Sequence, residues 1–132
     1  MSEPSEPLWI TYEETIAIHS RQLRRFGGAA GLRDDGLLRS ALEPPVNKWR
    51  YEQSELAELA AAYAFGLAKN HAFVDGNKRI AIVAAAVFLM ENGMEIVTTD
   101  ADLYTFVLSV AAGEIDEEGA TRFLRDHTVP IA

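Results

Sequence analysis

The sequence predicts an all-α fold, a compact bundle of helices, on three observations. Apolar residues recur at three- and four-residue steps along most of the chain. These periodic stretches open at Ser, Thr or Asp and close at glycine or proline, the punctuation expected of helices. Only Met94 to Val97 reads as extended, and it is short. With 132 residues and 48% hydrophobic content, the chain suits one domain over 1–132 that buries one core.

Taken in order, Met1 to Pro7 carries Pro4 and Pro7 without periodicity, which predicts a loose N-terminal arm. Thr11 followed by Glu14 fits a capping box, and Ile16, Leu23 and Phe26 continue a first helix to the Gly27-Gly28 stop. Asp34 or Asp35 can cap a second, short helix through Leu37, Leu38, Ala41 and Leu42. That helix is expected to end before Pro44-Pro45, because the residue preceding a proline avoids helical geometry. Residues 44–53 then read as a loop. Ser54 opens a long helix with apolar residues at 56, 59, 60, 63 and 67 and alanine on nearly every other side, a composition that predicts close helix contacts. A second apolar helix runs from Asn77 to Asn92 and stops at Gly93, so the two form a central hairpin. Asp100 to Ala112 and Asp116 to His127 complete the bundle.

Charge and composition exclude several functions. Twelve basic against twenty acidic residues give a net charge of -8, which repels phosphate backbones and argues against direct nucleic-acid or anionic-membrane binding. An anionic ligand needs a local cluster of cations. The longest apolar run, Ile80 to Met90, is far short of the roughly 20 residues that span a bilayer. There is no cysteine, and the N-terminus does not resemble a secretion signal, so a cytoplasmic protein is expected.

The turn of the central hairpin, HAFVDGNKR at residues 71–79, concentrates chemistry between two core helices. Asn77, Lys78 and Arg79 fall at the first turn of a helix, where unpaired N–H groups and the helix dipole favour an anion. Gly76 lets the backbone approach closely, Lys78 supplies a point charge and Arg79 a planar fork. Asp75 would half-neutralise that seat unless a divalent cation bridged it to phosphates, the usual way magnesium is held. Histidine is the side chain type suited to proton transfer near neutral pH, and His71 is placed to take a proton from an attacking hydroxyl. Phe73 is expected to anchor the loop in the core. Asp-Gly-Asn is also a good turn sequence, and Lys with Arg could be a solvated helix start beside a packing histidine. The residues alone leave both readings open.

The pattern His71-x-Phe73-x-Asp75-Gly76-Asn77-Lys78-Arg79 resembles the signature of the Fic/Doc superfamily, and specifically its death-on-curing branch of bacterial toxins. The stretches GLRDDGLLRSALEPP and LAAAYAFGLAKNHAFVDGNKRIAIVAAAVFLMENG extend the resemblance from about residue 8 to about residue 127. It implies a small Fic/Doc-like helical bundle, a catalytic histidine at His71, a magnesium-holding acid at Asp75, and nucleotide phosphates on Gly76, Asn77, Lys78 and Arg79. Adenylyl-transferring members carry glycine at the position of Lys78 and a second arginine at that of Ile82. Both departures disfavour adenylyl transfer. The death-on-curing branch shares the lysine, and the resemblance implies ATP bound in the reversed sense, with its terminal phosphate passed to a threonine of elongation factor Tu and protein synthesis arrested. On that expectation His71 is the base, and Lys78 with Arg79 stabilises the transferring phosphoryl group. Adenylyl transfer and a noncatalytic binding module are the competing readings.

In Fic-like proteins the segment before the central helix is an extended flap that aligns the target as an added strand. Here that segment contains Lys48, Trp49 and Tyr51, which suits a target flap, although Trp49 could equally cover the core. The inhibitory Ser/Thr-x-x-x-Glu-Gly/Asn pattern of many Fic enzymes is not matched, since the nearest stretch, Ser54 to Glu58, is followed by Leu59. With that pattern missing, the resemblance implies restraint by a Phd-like antitoxin in trans. His19 and His127 have no partner at ligand spacing and read as structural, Arg33-Asp34 as a local cap with a salt bridge, and the acids from Glu114 to Glu118 as a solvated face.

Overall fold

The computed structural model describes residues 5–132. Among them are six helices and a two-stranded sheet: α1 (Tyr12–Phe26), α2 (Asp35–Glu52), α3 (Leu56–Asn70), α4 (Asn77–Glu91), β1 (Met94–Ile96), α5 (Asp100–Ala111), α6 (Glu117–His127) and β2 (Thr128–Pro130). The all-α expectation holds. Of the N-terminal arm, residues 5–7 have no regular structure, and residues 1–4 lie outside the described residues.

Helix α3 is the hub, packing against α2, α4, α5 and α6. Its alanines make this possible: Ala57, Ala60, Ala61, Ala62, Ala64 and Ala68 are all buried, and none carries a side chain long enough to hold a neighbour away. Leu59, Tyr63 and Leu67 fill the gaps between helices. Gly66 extends the pattern, since a Cβ there would lie 3.2 Å from the carbonyl oxygen of Ala41 on α2. The Tyr63 hydroxyl is also bound, accepting the Ile10 N–H at 3.1 Å and so tying the chain entering α1 to the hub.

The helix starts follow their capping chemistry. Thr11 accepts the Glu14 N–H, Asp34 that of Leu37, Thr99 that of Asp102 and Asp116 that of Gly119. Helix α3 begins at Leu56 rather than Ser54, with Glu55 as a cap that makes no side-chain bond.

The flap is the main correction. Residues 44–52 are helical, because α2 runs through Pro44 and Pro45 to Glu52. The two prolines deny N–H donors to the carbonyls of Ser40 and Ala41, a loss that normally breaks a helix. Packing outweighs it here. Pro45 is buried, Trp49 packs on the core edge-on to Trp9 with centroids 6.3 Å apart, and Lys48 pairs with Glu117 at 3.0 Å and Glu58 at 3.7 Å. Lys48 and Trp49 therefore join α2 to the rest of the bundle. Tyr51 is 87% exposed but sits on a helix, not on an extended edge.

Strand β1 forms where an extended segment was expected, and it finds an unforeseen partner in β2. They pair antiparallel with Met94 opposite Pro130 and Ile96 opposite Thr128, closed by Val97 N–H to the His127 carbonyl and Ile131 N–H to that of Gly93. His127 is structural, its Nδ1 donating to the Phe123 carbonyl at 2.7 Å.

Burial pushes the Tyr63 phenol up to about 12 from 10.0. The folded state thus holds that proton more tightly than the unfolded chain, so stability from this group is complete below pH 10 and is lost as pH rises toward 12. Urea denaturation across that window should show a falling midpoint. Tyr63→Phe should flatten part of that fall and, by leaving the Ile10 N–H unpaired, cost about 1–3 kcal/mol near neutrality.

Candidate active site

The turn between α3 and α4 is built by three neighbours rather than by its own sequence alone. Its first residue, His71, has φ 51° and ψ 45°, the left-handed conformation that ends α3. A non-glycine residue held there costs roughly 1–3 kcal/mol unless its surroundings support it. The support is Arg33, whose Nε donates to the His71 carbonyl at 2.7 Å. Among the described residues no ion pair forms at Arg33; the expected salt bridge is replaced by this bond to the end of α3. The loop between α1 and α2 then runs antiparallel to the turn, with Leu32 bridged to Phe73, Val74 N–H on the Gly31 carbonyl, and the N–H groups of Arg33 and Asp34 on that of Ala72.

His19 is the second support. Its ring stacks on Phe73 at 3.7 Å, and its Nε2 lies 2.7 Å from the Asp75 carbonyl. That carbonyl can only accept, so Nε2 carries the proton. Both Phe73 and His19 are buried, which bears out the anchoring role of the one and the structural role of the other.

Asn77 is the third. Its side chain accepts the Phe73 N–H at 3.0 Å and donates to the Phe73 carbonyl at 2.9 Å, a two-bond latch across the turn. What it offers an anion is its backbone. Gly76 caps α4 in the left-handed conformation with φ 80° and supplies no capping side chain, and the first N–H to meet an intrahelical carbonyl is that of Ile80. The N–H groups of Asn77, Lys78 and Arg79 are left for another acceptor.

These supports leave an open cavity of about 320 Å³ into which His71, Asp75, Lys78 and Arg79 converge, with Val74 and Tyr104 at its walls. His71, Asp75 and Lys78 are exposed, and among the described residues neither Lys78 nor Arg79 is in an ion pair. The Arg79 guanidinium rests 4.7 Å from the ring centre of Phe26. The Asp75 carboxylate accepts the Gly76 N–H at 2.8 Å and the Ala29 N–H at 3.2 Å. These donors, more than the nearby Arg79 charge, hold its carboxyl below the usual carboxylate range. A carboxylate accepts about four hydrogen bonds, so each oxygen keeps a lone pair for a cation. Magnesium is commonly held by one or two carboxylates plus substrate phosphates, so a single ionised, exposed Asp beside an anion seat fits it without a protein cage.

The sequence-predicted residues His71, Asp75, Gly76, Asn77, Lys78 and Arg79 therefore share one cavity, and Lys48, Trp49 and Tyr51 do not line it. Sequence reasoning passed over Tyr104, gave Arg33 only a local salt bridge and read Gly28 only as a helix stop. A Cβ on Gly28, where φ is 121°, would lie 2.8 Å from the Asp75 carboxylate, so the glycine pair read as a helix stop also makes room for that acid. The signal was the crowding of glycines at 27, 28 and 31.

Residues 9–89 match the model of the Fic/DOC family. The chain is 32% identical over 117 residues to "Protein kinase doc" of Escherichia phage P1, covering 88% of this chain and 92% of that protein. It is 44% identical over 73 residues to "Toxin Doc" of Mycolicibacterium smegmatis, covering 54% of this chain and 56% of that protein. With a family match over more than half its length and a relative aligned along most of it, the chain belongs to the Fic/DOC family.

Proposed function

We propose that this protein is a Doc-type toxin that uses ATP to phosphorylate a protein hydroxyl, with a threonine of elongation factor Tu as the target. The observation that carries the reading is the meeting of His71, Asp75, Lys78 and Arg79 around the uncapped N-terminus of α4. That set contains a base, a carboxylate fit for magnesium, and cations with backbone donors for a phosphoryl group. The names of the two relatives, one a kinase and the other a toxin, support the same reading. Lys78 in place of glycine and Ile82 in place of a second arginine favour γ-phosphoryl over adenylyl transfer.

In this reading the target hydroxyl attacks the γ-phosphorus and gives its proton to His71. The new phosphorus–oxygen bond forms as the bond to the β,γ-bridging oxygen breaks, and ADP leaves with that electron pair. Lys78, Arg79 and the first N–H groups of α4 hold the equatorial oxygens, where charge is spread in the transition state. Magnesium on Asp75, when bound, neutralises charge on the nucleotide phosphates. Silencing falls to a Phd-like antitoxin in trans, since the chain lacks the inhibitory glutamate pattern. ATP and elongation factor Tu both belong to the bacterial cytoplasm, and the reading carries that location.

Intact-mass spectrometry of elongation factor Tu after incubation with the protein, magnesium and ATP should show a gain of one phosphate. His71→Ala should lower that rate by ~10²–10⁴-fold with the fold retained. A gain of one adenylyl group would move the protein to the other branch of the family, and equal activity of the variant would remove His71 from the chemistry.

Lys78→Gly probes the cation that separates the branches. With [γ-³²P]ATP, phosphoryl transfer should fall on the order of 10²-fold. Undiminished transfer would show that the lysine does not stabilise the reacting phosphate.

A further inference from the structure

Two non-glycine residues among those described have left-handed backbones, Gln53 with φ 49° and His71 with φ 51°. Gln53 is held from within its own helix, because its N–H donates to the Trp49 carbonyl. The caps of α1, α4 and α5 make the same kind of bond: Gly27 N–H meets the Leu23 carbonyl, Asn92 that of Leu89, and Ala112 that of Leu108. Among the described residues His71 makes no such bond. Its conformation is held from outside α3, by the Arg33 Nε on its carbonyl at 2.7 Å.

The other ties on the turn hold other residues. The N–H groups of Arg33 and Asp34 hold the Ala72 carbonyl, Asn77 holds the N–H and carbonyl of Phe73, Gly31 accepts from Val74, and His19 donates to the Asp75 carbonyl. Among the described residues, the Arg33 side chain is the group that hydrogen-bonds residue 71 itself. The direction of a carbonyl is set by the ψ of its residue, so a donor anchored on it holds ψ near 45° and with it the direction in which the ring leaves the end of α3.

Resting on the phosphotransfer reading, we infer that Arg33 is a positioning residue for the base, its hydrogen bond keeping His71 in the left-handed conformation from which the ring reaches the cavity. Arg33 does not line that cavity, so it acts through His71 and not on a ligand. Its guanidinium is exposed and in no ion pair among the described residues, so its charge has no partner that would explain it otherwise. Without the bond, a left-handed histidine loses the contact that offsets its strain and relaxes toward the right-handed or extended regions. Either move turns the ring from the point of attack, and a misplacement of about 1 Å can cost ~10²-fold in rate.

Substitutions of matched length separate the hydrogen bond from the charge. Glutamine carries its Nε2 donor as many bonds from the backbone as arginine carries Nε, and methionine puts a methyl group there. With [γ-³²P]ATP, magnesium and the protein acceptor, Arg33→Met should lower kcat by ~10–100-fold and leave KM for ATP within ~2-fold, while Arg33→Gln should stay within ~3-fold of wild type. Rates are taken well below the thermal midpoint of each variant, so that loss of folded protein does not enter. In a His71→Ala background, Arg33→Met should cost less than ~2-fold, since a residue that acts through the base then has no base to position. Unchanged kcat in Arg33→Met, an equal loss in Arg33→Gln, or an undiminished loss in the His71→Ala background overturns the assignment and leaves phosphotransfer standing. Wild type that transfers no phosphoryl group removes that reading and the assignment with it.

Discussion

The burial of α3 on nearly all sides is the constraint on which the other features depend. A helix touched by four others can be central only if its side chains are short, and alanine is both the shortest that still favours a helix and the one that loses no side-chain entropy. The consequence for the site is positional. His71 is the residue at which α3 ends, so its backbone is fixed by the helix that packs against four others, while its side chain emerges from the core into solvent. Helix α4 starts six residues after His71 and packs back along α3, which brings an open helix N-terminus beside the histidine.

The packing of α3 does not by itself hold a left-handed residue and a tight turn. The loop between α1 and α2 does that with backbone bonds from residues 31, 33 and 34 and the Arg33 side chain, and α1 adds His19. Individually such bonds contribute about 0.5–1.5 kcal/mol. Together they exceed the roughly 1–3 kcal/mol of strain at His71, so the strained geometry is the one that persists. The Gly28 and Ala29 end of the same loop reaches the Asp75 carboxylate, so the positions of His71 and Asp75 are set by one segment.

Much of this was legible in the sequence where the cause is local. Helix starts followed from cap residues such as Thr11, Asp34 and Asp116, and the central hairpin from apolar periodicity on both sides of the turn. What escaped depends on distant partners. Proline chemistry argues for a break at Pro44-Pro45, and only the burial of Pro45 and the contacts of Lys48 and Trp49 with other helices override it. Strand β2 has no signal of its own in Thr128–Pro130 and exists because β1 lies alongside. In the site, His71 to Arg79 form one contiguous stretch and could be read together. Arg33, His19 and Tyr104 reach the turn from separate helices and a loop, a convergence that no spacing along the chain encodes.

The site also resolves a conflict between the whole molecule and its parts. A net charge of -8 would discourage a nucleotide if it acted as one field, yet exposed charges farther apart than a Debye length of ~8 Å are largely screened at physiological salt. Local groups decide, and here Lys78, Arg79 and three backbone N–H groups face a single carboxylate. Within that seat the motif divides its work. The Asn77 amide is committed to the Phe73 backbone and holds the shape of the turn, and Gly76 supplies the left-handed step that frees the helix end. Lys78 and Arg79, with no ion pair among the described residues, are the parts left to meet a ligand. An anion at this turn would thus meet groups whose placement depends on an asparagine whose side chain is spent on the turn itself.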